Sequence, residues 1–123
     1  MTKGRCLCGR VSWQSKSVPT GAAVCHCGQC RRQSGHVWAS AQVPQAELSI
    51  VGEPKWFRAS ETAKRGFCPD CGSFLFWQGD GEDEVSVSLG SIDAPTGIEL
   101  EKHIFTSDKG DYYKISDDVP IRS

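Results

Sequence analysis

The segment Cys25-His26-Cys27-Gly28-Gln29-Cys30 packs three thiols and an imidazole into one short stretch. Two further pairs flank it, Cys6-Leu7-Cys8 towards the N-terminus and Cys68-Pro69-Asp70-Cys71 towards the C-terminus. The total of 7 cysteines is odd, so complete intramolecular pairing as disulfides is impossible. The opening residues Met1-Thr2-Lys3-Gly4-Arg5-Cys6 hold no apolar stretch of the signal-peptide kind, so a reducing, cytoplasmic location is expected. Both points favour thiolates bound to metal.

The spacing favours the same chemistry. In an extended segment residues i and i+2 share a face, so Cys6 with Cys8, and Cys25 with Cys27, can each present two sulfurs to one ion. Cys68 and Cys71 suit a tight turn in which two sulfurs converge, with Gly72 at a position that often needs a positive φ. Structural zinc takes four ligands, whereas a catalytic zinc keeps one position open. Seven thiolates divide naturally as four plus three. Spacing alone leaves the grouping open: Cys25, Cys27 and Cys30 can cap one ion unaided, which leaves Cys6, Cys8, Cys68 and Cys71 for another. His26 lies between two cysteines that share a face and should point away from them. His36 is the better candidate for a fourth ligand, and as such it would close the three-cysteine site.

The elements that must hold these clusters are short. Apolar or alternating runs at Arg10–Gln14, Ala22–Cys25, Val37–Val43, Leu48–Val51, Lys55–Ala59, Ser73–Gln78, Glu84–Leu89 and His103–Thr106 read as strands. Val85, Val87 and Leu89 alternate cleanly with Ser86 and Ser88. Helical pattern is confined to one turn at Gln29–Ser34, with a further short turn near Ser91–Thr96. The acidic run Asp80–Glu84 reads as an exposed hairpin loop. Trp13, Trp38, Trp56 and Trp77 read as core or rim, one of them a potential pocket wall. The expected class is mainly β, in a single domain spanning residues 1–123. A domain this small buries a modest core, and metal staples would supplement it.

Composition narrows the partners. With 14 basic and 15 acidic residues the net charge is -1, which argues against an electrostatic grip on nucleic acid or an anionic membrane. No apolar run approaches the ~20 residues needed to span a bilayer.

Gly4-Arg5-Cys6-Leu7-Cys8-Gly9-Arg10-Val11, Cys25-His26-Cys27-Gly28-Gln29-Cys30-Arg31 and Arg65-Gly66-Phe67-Cys68-Pro69-Asp70-Cys71-Gly72-Ser73 together resemble the glutathione-dependent formaldehyde-activating enzyme family, which also includes the centromere protein V group. The stretch His103–Pro120 is similar to the family's ending, with Tyr112-Tyr113 where members often carry a Trp-Tyr pair. The resemblance implies an Mss4-like, zinc-stapled antiparallel β fold. It implies a structural zinc on Cys6, Cys8, Cys68 and Cys71, and a catalytic zinc on Cys25, Cys27 and Cys30. The activity it implies is a carbon–sulfur lyase reaction, written in reverse as the joining of glutathione and formaldehyde into S-hydroxymethylglutathione.

An open zinc position can lower the pKa of an incoming thiol or polarise an aldehyde oxygen. Three thiolates donate much negative charge and weaken the ion as an acid, which favours thiol handling over hydrolysis. Arg31 and Arg32 are candidates to balance the thiolates or to meet substrate carboxylates, against the plainer reading of a solvated turn. His103 is a candidate proton shuttle, though a lone strand histidine is more often structural. Two rival readings are a zinc-stabilised protein-binding module and a thiol redox switch at Cys25, Cys27 and Cys30.

Overall fold

Ten strands and one short helix form two sheets in the computed structural model, which describes all 123 residues. The smaller sheet holds β1 (Thr2–Arg5), β2 (Ser12–Ser15) and β5 (Leu48–Val51), in the order β1-β2-β5. The larger holds β3 (Thr20–Cys25), β4 (Trp38–Pro44), β6 (Lys55–Arg58), β7 (Ala63–Phe67), β8 (Phe74–Gly79), β9 (Glu84–Ser88) and β10 (Lys102–Ile104). Its order is β10-β3-β4-β9-β8-β7-β6. No helix is long and apolar enough to cross a membrane.

The alternating runs become strands because one face of each is buried. Val85 and Val87 on β9 and Val43 on β4 are closed off from solvent, and they pack with Val11, Trp13, Leu75 and Phe76 into the main core. Cys6 and Cys68 are members of that same core, at 2% and 0% exposure. Half of one cysteine cluster is therefore built into the hydrophobic centre, with Cys71 packed against it and Cys8 exposed.

Three features depart from the sequence reading. The larger sheet is mixed, because β10 pairs parallel to β3, with His103 opposite Val24. The chain reaches β10 after a long passage over residues 89–101, so it need not return as a hairpin. Strands β1 and β7 were not legible: Thr2–Arg5 carries a Lys, a Gly and an Arg, and Ala63–Phe67 carries Lys64, Arg65 and Gly66. The short turn expected near Ser91–Thr96 falls earlier, as a 3₁₀ turn at Leu89–Ser91.

The helix, α1 (Gly28–Ser34), begins one residue before the expected turn at Gln29–Ser34 and carries Cys30 in its first turn. Cys27 is its N-cap, and the Cys27 sulfur accepts a hydrogen bond from the Cys30 backbone N–H. Gly35 ends it at φ 92°, a left-handed conformation in which a side chain would be strained.

Candidate metal centres

The sulfurs of Cys6, Cys8, Cys68 and Cys71 form one group and those of Cys25, Cys27 and Cys30 another, with all members of each group within 4.8 Å of one another. The first group arises where two turns meet. In one, the Gly9 N–H reaches the Cys6 carbonyl at 3.2 Å and the Val11 N–H points at the Cys6 sulfur at 3.3 Å. In the other, the Gly72 N–H reaches the Cys68 carbonyl at 2.8 Å, and Gly72 takes the positive φ expected of it, 79°. The Leu7 N–H, at 3.0 Å from the Ser73 hydroxyl, joins the two turns. Cys6 and Cys8 therefore converge through a turn beyond the end of β1, and not along an extended strand.

The donor geometry fits zinc. A tetrahedron with Zn–S of about 2.3 Å has sulfurs about 3.8 Å apart. The Cys6–Cys8 and Cys8–Cys68 sulfurs are separated by 3.6 and 3.7 Å. The Ser73 hydroxyl beside Cys71 holds that thiol down at about 5, so it is a thiolate at neutral pH.

The second group sits where β3 runs into α1. Cys25 and Cys30 pack with Trp38 in a small buried cluster, with Cys27, Phe74, Trp77 and Ile104 against it. The Cys25 thiol is pushed up by its hydrogen bond with Cys30 and by burial. Cys30 is held down at about 6, first by that bond and then by Arg65 against the cost of burial. Arg65, on β7 and 5% exposed, donates from one terminal nitrogen to the Cys30 sulfur at 3.5 Å and to the Gln33 side-chain carbonyl at 3.3 Å. The sequence reading places Arg65 in the motif that ends at Ser73 but gives it no role at the site.

The group has three sulfurs and no fourth Cys, His or carboxylate. His36 is exposed and shares its Nδ1 with the Tyr112 hydroxyl at 2.8 Å. His26 points away from the sulfurs, as expected, into a chain of polar groups in which the two histidines are buried and Asp117 is exposed. Asp117 accepts from His103 Nε2 at 2.9 Å, His103 Nδ1 accepts from His26 Nε2 at 2.9 Å, and His26 Nδ1 accepts from the Tyr113 hydroxyl. This arrangement of neutral rings gives every member its partner. Burial, first, and then the neighbouring His103 keep His26 below the ordinary histidine range, in accord with a neutral ring. His103 thus straps the C-terminal segment onto the β3–α1 junction, which is the structural reading of that residue. The substitution His103→Ala strands His26 without its partner. It should lower the unfolding free energy by about 1–3 kcal/mol, measured by urea denaturation of the metal-loaded protein.

A cleft of about 680 Å³ opens over the three sulfurs. Cys25, Cys27 and Cys30 lie in its wall with Trp38, Trp77 and Phe105, and Glu82 and Asp108 belong to it as well. Two tryptophans therefore line the cleft, while Trp13 is core and Trp56 packs against the core. Phe105 has a left-handed backbone, φ 54°, unusual for a bulky residue, and leaves its ring half exposed in the cleft. By contrast, a hollow of about 370 Å³ beside the four-cysteine group touches only Cys6 among its ligands. The two groups thus differ in ligand number and setting: four sulfurs, those of buried Cys6 and Cys68 with exposed Cys8 and half-buried Cys71, make a complete set, while three sulfurs line a cavity.

Similarity to known proteins follows the same residues. The family described as glutathione-dependent formaldehyde-activating enzyme matches residues 1–108, which hold all seven cysteines. The chain belongs to this family. A crystal structure of a Rhodobacter sphaeroides protein is similar, at 26% identity with a TM-score of 0.62, over 79% of this chain and 90% of that one. No curated protein matches the sequence. The family segment ends at Asp108, so Tyr113 and Asp117, which complete the polar chain, lie beyond it.

Proposed function

We propose that the chain is a zinc enzyme that joins a small thiol of the glutathione class to formaldehyde or a related aldehyde, a carbon–sulfur lyase reaction in its reverse sense. Cys6, Cys8, Cys68 and Cys71 hold a structural zinc, and Cys25, Cys27 and Cys30 hold the zinc at which chemistry occurs. The observation that supports this division is the ligand count of the two groups. Three sulfurs with no fourth ligand line a cleft of about 680 Å³, while the other group supplies four sulfurs, a complete tetrahedral set.

When bound, the cleft zinc supplies a Lewis-acid position at which a thiol can lose its proton near neutral pH. The chain's own groups prepare that position. Arg65 donates to the Cys30 sulfur, which stabilises the thiolate and fixes its direction. The N–H of Cys30 does the same for Cys27. Trp38, Trp77 and Phe105 narrow the cleft and exclude water from around the reacting sulfur. The substrate sulfur forms a bond to the aldehyde carbon, the carbon–oxygen π bond breaks, and the thiol proton ends on that oxygen. No oxidant or second cofactor is required.

Exchange spectroscopy with ¹³C-formaldehyde and glutathione tests the reading. The zinc-loaded protein should accelerate exchange between hydrated formaldehyde and the S-hydroxymethyl adduct. Calorimetry should show glutathione binding to the same sample. Absence of both effects would remove the proposal.

A further inference from the structure

A second hollow, of about 530 Å³, lies on the other side of Arg65. Gln29, Arg32 and Gln33 form one wall, at i, i+3 and i+4 on α1 and therefore on one helix face. Lys55 and Phe57 form the other from β6, with Phe67 and Arg65 opposite them on β7. Every charged side chain in this hollow is cationic: Arg32, Lys55 and Arg65. The cleft over the three sulfurs carries the opposite rim, Glu82 and Asp108. The two cavities share Gln29 and Arg65.

Arg65 is the pivot of this charge map. It is 5% exposed, it has no carboxylate partner within the chain, and its Nε is buried without a hydrogen-bond acceptor. The Cys30 sulfur meets part of its charge, and a buried guanidinium with no carboxylate partner favours a further anion close by. One of its nitrogens touches both the Cys30 sulfur and Gln33, so a single guanidinium nitrogen separates the sulfurs from the cationic hollow. Arg31, in contrast, lines neither cavity.

We propose that the hollow between α1 and β6–β7 is the seat of the glycine carboxylate of a glutathione-type thiol, held by Arg32 and Lys55 with Arg65 beneath. This rests on the reading of the three-sulfur cleft as the thiol site. With the sulfur in that cleft, the carboxylate is about two residues away, a reach of up to about 7 Å, which suits a neighbouring cavity. The acidic rim of Glu82 and Asp108 repels that carboxylate and leaves the γ-glutamyl end, whose ammonium offsets its own carboxylate, to face it. Specificity for a carboxylate-bearing thiol thus comes from residues that touch no metal.

The test compares glutathione with its glycyl monoethyl ester, which keeps the thiol, the ammonium and the γ-glutamyl carboxylate but blocks the glycine carboxylate. Binding to the zinc-loaded protein is measured by calorimetry for wild type and for the double variant Arg32→Glu with Lys55→Glu. Both side chains are exposed, so the fold should persist, and ester binding by the variant reports that it has. Wild type should prefer glutathione over the ester by about tenfold or more, as expected for losing charge-assisted hydrogen bonds. The variant should bind glutathione as weakly as wild type binds the ester, with ester affinity unchanged. Equal binding of the two ligands by wild type overturns the carboxylate seat and leaves the thiol site standing. An equal loss of both ligands in the variant also overturns it. Failure of both ligands to bind wild type overturns the seat and the thiol site together.

Discussion

Replacing Cys68 with alanine should leave a chain with no cooperative unfolding transition and without its structural zinc. Cys68 is fully buried and belongs to the same packed cluster as Val11, Leu75 and Phe76. Its sulfur lies 3.7 Å from that of Cys8, a partner 60 residues away in sequence. Ligation across that distance fixes the turn after β1 against the turn after β7, contacts that otherwise cost chain entropy to bring together. Structural zinc contributes on the order of 10–16 kcal/mol in small zinc domains, against a total stability of roughly 5–15 kcal/mol for a folded protein. Losing one of four ligands removes a large part of that contribution. Cys68→Ser separates metal from packing, because it keeps the approximate size and loses the thiolate. Both variants should lack the β-sheet circular dichroism of wild type, and a strong chelator should produce the same loss in wild type. A Cys68→Ser protein with the wild-type urea midpoint would show that packing alone holds this region and that the zinc staple does not exist.

The fold was legible where burial follows sequence alternation and obscure where a strand serves the site. Leu48–Val51 is a strand at the limits read from the residues, and Glu84–Ser88 is shorter than read by one residue. Their apolar positions repeat every second residue, so pattern and structure agree. β7 breaks that pattern because Arg65 takes an inward position that an apolar residue would normally hold. Its charge is tolerated there because thiolates stand beside it. The same substitution of function for packing hid the second wall of the cleft. The cysteine groups were legible because ligand spacing is local, and the division into four and three was visible as arithmetic. The Asp117–His103–His26–Tyr113 chain was not, since it brings together β10, the β3–α1 junction and the C-terminal segment. His36 illustrates the reverse error: being near in sequence to Cys30 made it a candidate ligand, but α1 ends between them and carries it to Tyr112.

The variant Cys27→Ala should behave in the opposite way to Cys68→Ala: folded, short of one zinc, and inactive. Cys27 is half-buried and lies outside the main core, at the N-cap of α1. Removing its sulfur leaves the Cys30 N–H without its acceptor, a cap loss that costs about 1 kcal/mol. That is a small shift in a urea titration and no threat to the fold. The remaining Cys25 and Cys30 sulfurs offer only two ligands, and Arg65 then lies against thiolates with no ion to share. Metal analysis should find one zinc retained, bound by the four-cysteine group. Formaldehyde–glutathione exchange should fall to the rate seen without protein. The contrast between the two variants is the decisive comparison, because both remove one thiol from a cluster of similar size. If Cys27→Ala loses its β-sheet signal as completely as Cys68→Ala, both ions are staples and the cleft is not a reaction site. If it stays folded, keeps one zinc and still accelerates exchange, the chemistry belongs elsewhere in the molecule. Retained structure with lost exchange is the expected result, since Cys27 belongs to the three-sulfur group that lines the cleft and lies outside the main core.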